Sequence, residues 1–131
     1  MAVRGGEYTP AVFESIQGQV VRRDPAQCVI EAGGLGYLLH VSLTTYDALP
    51  APGEHTQLLL HPVIREDEWR LFGFARAQER EVFRALLRVN GVGPQMALGL
   101  LSGFRPEDLA RAVGAACLLY TSDAADASVY G

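Results

Sequence analysis

The sequence predicts an α+β protein in which a five-stranded β-barrel is followed by a helical segment. From Phe13 to about Phe74, short runs of β-forming residues alternate with turn residues, as in small antiparallel barrels and sandwiches. After Phe74 the spacing of apolar residues changes from a period of 2 to a period of 3.6, which indicates helices. A glycine-rich turn at residues 90–94 then separates two of these helices.

Five runs of β-forming residues predict the strands, and these runs cover residues 13–21, 27–32, 36–41, 56–64 and 69–74. Between the third and fourth runs, Ser42 is placed to cap a short helix that Pro50 would end. Five strands with a short helix between the third and fourth have the element order of an OB-fold. Pro62 lies within the fourth run and cannot donate to a ladder, so we expect a sheet edge or a bulge there.

Three helices are predicted after the barrel, over residues 77–89, over residues 94–101, and from Pro106 to about Gly114. Arginines recur at every fourth residue of the first helix, at positions 76, 80, 84 and 88. Such a row could follow a phosphate backbone, but glutamates flank it and a solvated face is the commoner explanation. From residue 76 to residue 111, six arginines against four acidic residues make the helical part basic and leave the barrel acidic.

The composition excludes several kinds of chemistry. The chain has 131 residues, 49% of them apolar, and its 11 basic and 15 acidic residues give a formal net charge of −4. All the basic residues are arginine, so a phosphate-binding P-loop and Schiff-base catalysis, which both need lysine, are not expected. Three scattered histidines and two distant cysteines, Cys28 and Cys117, predict no metal site, and nothing indicates a cofactor. Because no apolar stretch is long enough to span a bilayer, we expect no membrane partner and a cytoplasmic location.

The turn between the first two helices is the strongest candidate for a binding site. Gly91, Val92 and Gly93 would expose consecutive backbone N–H groups at the start of the second helix, where the helix dipole favours an anion. Glycine permits the sharp turn and the close approach of a ligand. This arrangement is a helix-hairpin-helix, which grips a nucleic-acid backbone without reading bases. The alternative is a tight turn with no ligand.

Three acidic residues, Glu66, Asp67 and Glu68, lie at the predicted turn between the last two strands. They could serve solubility alone, which is usual for a charged turn. They could bind a divalent metal in a nuclease, although no further acidic residue or histidine lies at a suitable spacing and no general base is evident. They could also repel phosphates beside bound DNA. From the residues alone, solubility is the leading explanation.

Residues 13–114 resemble the N-terminal and middle parts of the RuvA family, the Holliday-junction-binding subunits of the bacterial branch-migration complex. The resemblance is carried by ordered blocks at residues 31–37 (EAGGLGY), 44–46 (TTY), 63–68 (VIREDE), 71–74 (LFGF), 78–84 (QEREVFR), 90–94 (NGVGP), 97–98 (AL) and 101–103 (LSG). So many blocks in the same order make chance an inadequate explanation.

The resemblance implies an OB-fold domain that forms a homotetramer and a helix-hairpin-helix domain that holds the arms of a four-way DNA junction in recombination and repair. It implies no catalysis by the chain itself, because ATP hydrolysis belongs to a RuvB-type hexameric motor; a RuvC-type resolvase is a further family partner. Glu66 and Asp67 map onto the acidic pin of the family, whose negative charges repel phosphates and help to part the strands. Arg84, Arg88 and Gln95 are weaker candidates for contacts to the DNA backbone.

The chain departs from the family pattern after the glycine-rich turn. Gln95 stands where the family usually has a lysine, which should weaken binding and lower the salt slope by roughly 0.9. The second helix-hairpin-helix and the C-terminal domain that contacts the motor are not recognised, so we expect the motor contact to be lost. We therefore expect an unstructured leader at residues 1–12, an OB-fold domain at 13–74, a truncated helix-hairpin-helix domain at 75–115, and a tail at 116–131 that resembles translated sequencing-adapter sequence.

Two other functions stay open at this point. A generic OB-fold module for single-stranded nucleic acid would stack bases on aromatic residues such as Tyr37, Trp69 and Phe72. These residues alternate with apolar neighbours, so core packing is the commoner role for most of them. The third possibility is a fragment that only assembles, because its helical part is incomplete.

Overall fold

Residues 13–114 are described by the computed structural model, and their strands and helices follow the predicted order. The elements are β1 (Ser15–Arg23), β2 (Gln27–Ala32), β3 (Leu35–His40), α1 (Leu43–Ala48), β4 (His55–Ile64), β5 (Trp69–Phe74), α2 (Ala77–Leu87) and α3 (Pro94–Gly103). Residues 106–114 are also helical and are called α4. The predicted leader at residues 1–12 and the predicted tail at 116–131 lie outside the described residues.

The five strands close into a barrel in the order β1-β2-β3-β5-β4, which confirms the predicted OB-like barrel. Neighbouring strands are antiparallel except β3 and β5, which run parallel where Leu39 pairs with Leu71. A two-residue turn joins β2 to β3, and its residues Gly33 and Gly34 have φ values of 61° and 86°. Positive φ at both turn positions matches the twist of a tight hairpin, and glycine adopts it without a steric cost.

Ser42 caps α1, as the sequence predicts. Its hydroxyl oxygen accepts a hydrogen bond from the N–H of Thr45 at 3.1 Å. The helix ends at Ala48, and Leu49 takes an extended conformation. This follows from Pro50, since a proline disfavours helical backbone in the residue before it.

Pro62 marks a sheet edge, which confirms one of the two predicted alternatives. The N–H of Leu60 donates to the carbonyl of Glu14 at 2.9 Å, on the side of β1. The backbone nitrogen of Pro62, two residues later, faces the same side, where β1 has already ended. Pro62 pairs with Leu71 of β5 in an unbroken register, so the bulge expected as the other alternative does not occur there.

The apolar side chains form two cores that meet at β5. One core fills the barrel and consists of Ile16, Val20, Cys28, Ile30, Leu39, Val41, Leu49, Leu58 and Leu60. The other joins β5 to the helices and consists of Phe72, Phe74, Val82, Phe83, Leu86, Ala97, Leu98, Leu101, Leu109 and Val113. Because strand side chains alternate between faces, Phe72 and Phe74 point to the helices while Leu71 packs on the barrel core. The helical part is therefore built directly onto one strand of the barrel.

The arginine row on α2 is not a solvated face, so that interpretation was wrong for its central members. Arg80 is only 8% exposed. Its Nη1 donates to the carbonyls of Glu14 and Leu60, at 3.1 and 3.2 Å, and its Nη2 lies 2.9 Å from the Glu14 carboxylate. Arg84 is also turned towards the barrel. The row faces β4 because the apolar stripe beside it packs on β5, which lies next to β4 in the barrel.

No helix within residues 13–114 combines the length and the apolar character that crossing a membrane requires.

Candidate nucleic-acid interface

The loop between α2 and α3 has the geometry of an anion-binding turn. Gly91 has a φ of 85°, a left-handed conformation that strains any residue with a Cβ atom. Gly93 is the N-cap residue of α3 and Pro94 follows in the first turn, where its missing N–H costs no hydrogen bond. No side chain caps this helix. The first-turn N–H groups of α3 are therefore available to a ligand, and the helix dipole favours a negative one.

The prediction of three consecutive free N–H groups was wrong for Val92. Its N–H donates to the carbonyl of Val89 at 3.1 Å, which closes the turn between the two helices. Among the described residues, no backbone carbonyl accepts from the N–H groups of Gly91, Gly93 or Gln95. The loop thus offers N–H groups on both sides of Val92 and not a continuous row.

The side chains predicted to assist the loop differ in their availability. Arg84 is two-thirds buried; its Nε donates to Nδ1 of His61 at 3.2 Å, and its Nη1 lies 3.4 Å from the Glu81 carboxylate. Arg88 caps the C-terminus of α2 at the start of the loop, and its side chain is exposed. Gln95 is exposed in the first turn of α3. Arg88 and Gln95 therefore lie beside the loop, while Arg84 is held against β4.

His61 joins the strand that leads to the acidic turn with the helix that leads to the glycine loop. Its ring packs edge-on against Phe83, with ring centroids 5.5 Å apart. Burial, and then the guanidinium groups of Arg84 and Arg80, lower the pKa of His61 below its usual value of 6.5. The ring is therefore neutral at physiological pH and can accept the hydrogen bond from Arg84.

The acidic residues lie on a hairpin that extends beyond the body of the barrel. Its turn is closed by the N–H of Arg65, which donates to the carbonyl of Glu68 at 2.8 Å. Glu68 forms an ion pair with Arg70, with 2.7 Å between Oε2 and Nε. Glu66 and Asp67 are exposed at the tip, and neither forms an ion pair within residues 13–114. Two of the three acids thus keep an uncompensated charge.

A buried polar cluster positions the helices and was not anticipated from the sequence. Glu79 is 2% exposed, and its carboxylate accepts hydrogen bonds from the hydroxyls of Ser42 and, at 2.6 Å, of Thr45. At the same end of α1, the N–H of Leu43 donates to the hydroxyl of Ser102 on α3 at 2.9 Å. The short helix α1 therefore holds both helices of the hairpin in place. The only signal in the sequence is the hydroxyl-rich start of α1.

The three aromatic residues considered for base stacking have different environments. Phe72 is fully buried in the helical core, which confirms the core-packing role favoured for it and rules it out as a stacking platform. Tyr37 is half-buried against the barrel core. Trp69 is exposed at the start of β5, next to the acidic turn.

Residues 13–114 hold no group of three or more histidine, cysteine, aspartate or glutamate side chains that could bind a metal ion. Cys28 is buried in the barrel core, and burial, assisted by Asp24, raises the pKa of its thiol to about 11. The thiolate, which is the nucleophile and the metal ligand, is therefore scarce at neutral pH.

The barrel and the helical part each match a known protein family. Residues 13–73 match the family model of the RuvA N-terminal domain, and residues 83–121 match the model of a SAM-like helix-hairpin-helix tandem. The chain is 42% identical over 102 residues to the Holliday junction branch migration complex subunit RuvA of Chlorobium phaeobacteroides. The aligned stretch covers 78% of this chain and 51% of the relative. The corresponding subunit of Neisseria gonorrhoeae is 47% identical over 102 residues, 78% of this chain and 53% of the relative. The RuvA subunit of Gluconacetobacter diazotrophicus is 46% identical over 101 residues, which make up 77% of this chain and 50% of the relative. The chain spans about half the length of these relatives.

Proposed function

Because the chain belongs to the RuvA family, we propose that it binds four-way DNA junctions as the DNA-recognition subunit of a branch-migration complex. The observation that carries this proposal is that one structure holds both a site that attracts phosphate and a site that repels it. The glycine loop is built to attract phosphate, whereas the tip of the acidic hairpin carries two uncompensated negative charges. A ligand must satisfy both, and a junction has backbone along its arms and a centre where strands part.

The loop would hold the backbone of one arm. The N–H groups of Gly91, Gly93 and Gln95 would donate to phosphate oxygens, and Arg88 would add a charge beside them. Arg84 contributes less in this proposal, because His61 and Glu81 already engage its guanidinium. None of these groups reads a base edge, so binding would depend on the shape of the DNA and not on its sequence.

The acidic tip would act at the crossover. Glu66 and Asp67 repel phosphates, so continuous duplex cannot lie across them without an electrostatic cost. At a four-way junction the strands turn away into separate arms and avoid these charges. The same repulsion would help to separate the base pairs that enter the centre.

We further propose that four copies assemble through the barrel, so that each arm of the junction meets one glycine loop and the four acidic tips surround the centre. The chain would perform no catalysis. In the complete protein, movement of the junction would come from a RuvB-type hexameric ATPase, and a RuvC-type resolvase would act on the same junction. Binding to chromosomal DNA implies a cytoplasmic location.

A gel-shift comparison of four-way junction, duplex and single strand tests the proposal. The wild-type chain should prefer the junction. Neutralising the tip with Glu66→Gln and Asp67→Asn should lower the preference for junction over duplex by about tenfold, because the like-charge penalty on duplex is removed. Reversing the charges with Glu66→Lys and Asp67→Lys should lower it further.

The matched control removes the same two charges elsewhere on the barrel. Glu31 and Glu54 are both exposed, and Glu31→Gln with Glu54→Gln should leave the junction preference unchanged. If both double variants lowered the junction preference equally, the effect would come from the total charge of the chain and not from the position of Glu66 and Asp67. That result would contradict a specific role for the tip. Preference for single strands would favour a single-strand-binding OB-fold, and no binding to any DNA would favour an assembly-only chain.

A further inference from the structure

We propose that Trp69 is a stacking platform for an unpaired nucleobase at the centre of the bound junction, an inference that rests on the proposed function. Trp69 follows the acidic turn directly and is the first residue of β5. It is 63% exposed, more than any other large apolar side chain of the described residues. Tryptophan is enriched at binding interfaces, where its large ring buries much apolar area.

The exposure of Trp69 follows from the shape of the hairpin. Trp69 pairs with Ile64 across the hairpin, whereas β3 joins β5 only from Leu71 onward. Trp69 continues the row of barrel-facing side chains that includes Leu71, but it lies past the end of the barrel and finds no core to enter. The topology therefore places a tryptophan at the rim, beside the acidic tip.

One contact orients the ring without covering it. Phe13 packs against Trp69 in an edge-on arrangement, with ring centroids 6.3 Å apart and planes at 69°. Such a contact restricts the rotamers of the tryptophan before any ligand binds. Most of the ring surface stays in solvent, so a flat ligand can still reach it.

The charges around Trp69 favour a base over a phosphate as its ligand. The carboxylates of Glu66 and Asp67 at the adjacent tip repel phosphate, but the face of a nucleobase carries no net charge. The neighbours of Trp69 in the chain, Glu68 and Arg70, neutralise each other at 2.7 Å on the opposite face of the strand. An unstacked base can approach this ring without a Coulomb penalty, and among the uncharged parts of DNA only the base offers a flat π-face for stacking.

The proposal adds a second action to the acidic hairpin. Glu66 and Asp67 would keep the backbone away from the centre, and Trp69 would receive a base released when a pair opens. Stacking on an aromatic side chain tolerates every base, because each has a π-face. This suits a protein whose backbone-directed loop also reads no sequence.

The chain contains a single tryptophan, so its fluorescence reports on this residue alone. Titration of the whole chain with a four-way junction should quench the fluorescence. A junction with abasic sites at the crossover nucleotides should quench it far less, and continuous duplex should not quench it. By gel shift, Trp69→Leu should lower junction affinity by about tenfold, and Trp69→Phe, which keeps a ring, should recover most of the loss. The abasic sites should weaken the wild type but not Trp69→Leu.

Val21→Ala is the matched control, because Val21 is half-exposed on β1 and lies far from the hairpin in the chain; its junction affinity should equal that of the wild type. If the wild type prefers the junction but its fluorescence does not respond, or responds equally to abasic junction, base stacking is overturned while the proposed function stands. If fluorescence changes with protein concentration in the absence of DNA and Trp69→Leu lowers the oligomeric state, Trp69 instead contacts another copy. If the wild type shows no preference for the junction, the proposed function itself fails.

Discussion

Glu79 and Arg80 are adjacent on α2 and are both buried, and they attach this helix to two different places on the barrel. The Glu79 carboxylate accepts from two hydroxyls at the start of α1. The Arg80 guanidinium closes the edge where β1 begins, through Glu14 and Leu60. Because each charge is desolvated, removing either side chain leaves buried partners unsatisfied and costs far more than losing a surface ion pair.

Glu79→Ala should lower the free energy of unfolding by about 2–4 kcal/mol, because two buried hydroxyls lose their acceptor. Urea denaturation followed by circular dichroism measures this change. Glu81→Ala, two residues along the same helix, removes a largely exposed carboxylate and should change stability by less than about 0.5 kcal/mol. Similar losses for both variants would show that the Glu79 cluster does not fix α2.

Stability should fall as the pH drops below about 6.5, and His61 should account for part of the loss. Its pKa is lowered in the folded chain by burial, Arg84 and Arg80, so the unfolded state binds the proton first. The contribution of His61 to the free energy of unfolding is complete above its pKa of 6.5 in the unfolded chain. It is lost as the pH falls towards the lower pKa of His61 in the folded chain. His40, whose pKa is also lowered, chiefly by burial, acts in the same direction.

His61→Gln keeps an acceptor for Arg84 but does not titrate. Denaturation at pH 7 and pH 5 should therefore show a smaller loss of stability for this variant than for the wild type. The double variant His40→Gln with His61→Gln should reduce the loss further. An unchanged pH dependence in both variants would exclude the histidines as its source.

At the scale of elements, the α2–α3 loop depends on one backbone conformation and not on side-chain packing. A Cβ atom added at Gly91 would meet no atom within 4 Å, and the same holds for Gly99 inside α3. The two positions differ in their backbone, since Gly91 has a φ of 85° and Gly99 is helical. Alanine substitutions at the two positions therefore distinguish the need for a left-handed backbone from the need for a small side chain.

Gly91→Ala should destabilise the chain by about 1 kcal/mol, because the alanine is forced into a left-handed conformation. Gly99→Ala should stabilise it by about 0.5–1 kcal/mol, because alanine is the better helix former. Thermal unfolding of the two variants provides the comparison. A stabilising Gly91→Ala would mean that the loop does not require the left-handed turn on which the phosphate site is built.

Most element boundaries could be predicted because local chemistry defines them. The strands lie within two residues of their predicted limits, and Ser42 and Pro94 mark helix starts by their hydrogen-bonding properties. The surroundings of the arginine row could not be predicted in the same way. Periodicity shows that Arg80 and Arg84 share a face, but only the docking of α2 on the barrel decides that this face meets β4. Glu79 was missed for the same reason, since its partners on α1 lie 34 and 37 residues away.

At the scale of the whole molecule, the barrel and the helices share strand β5, so we expect them to unfold together. Phe83 of α2 is fully buried, and its ring centroid lies 5.1 Å from that of Phe72 and 4.9 Å from that of Phe74. Separation of the helices would expose both phenylalanines of β5 to water. The apolar area lost on separation therefore couples the two parts.

Hydrogen exchange measured by mass spectrometry in increasing urea should show β2 and α3 opening with the same free energy. Phe83→Ala should lower both values together by about 3–5 kcal/mol. Phe104→Ala, at an exposed aromatic residue after α3, should change neither by much. Loss of protection in α3 well before β2 would show that the helices are a separate unit.

The two faces of β5 also restrict how the length of this chain can change during evolution. One residue inserted between Leu71 and Phe74 would turn every later side chain to the opposite face, directing Phe74 into the barrel and removing it from the helices. Both cores would be damaged by a single event. The turn at residues 65–68 carries no such restriction, because its side chains enter neither core. Insertions and deletions in this part of the chain should therefore collect at the acidic tip, where they alter how far the charges reach and leave the fold intact.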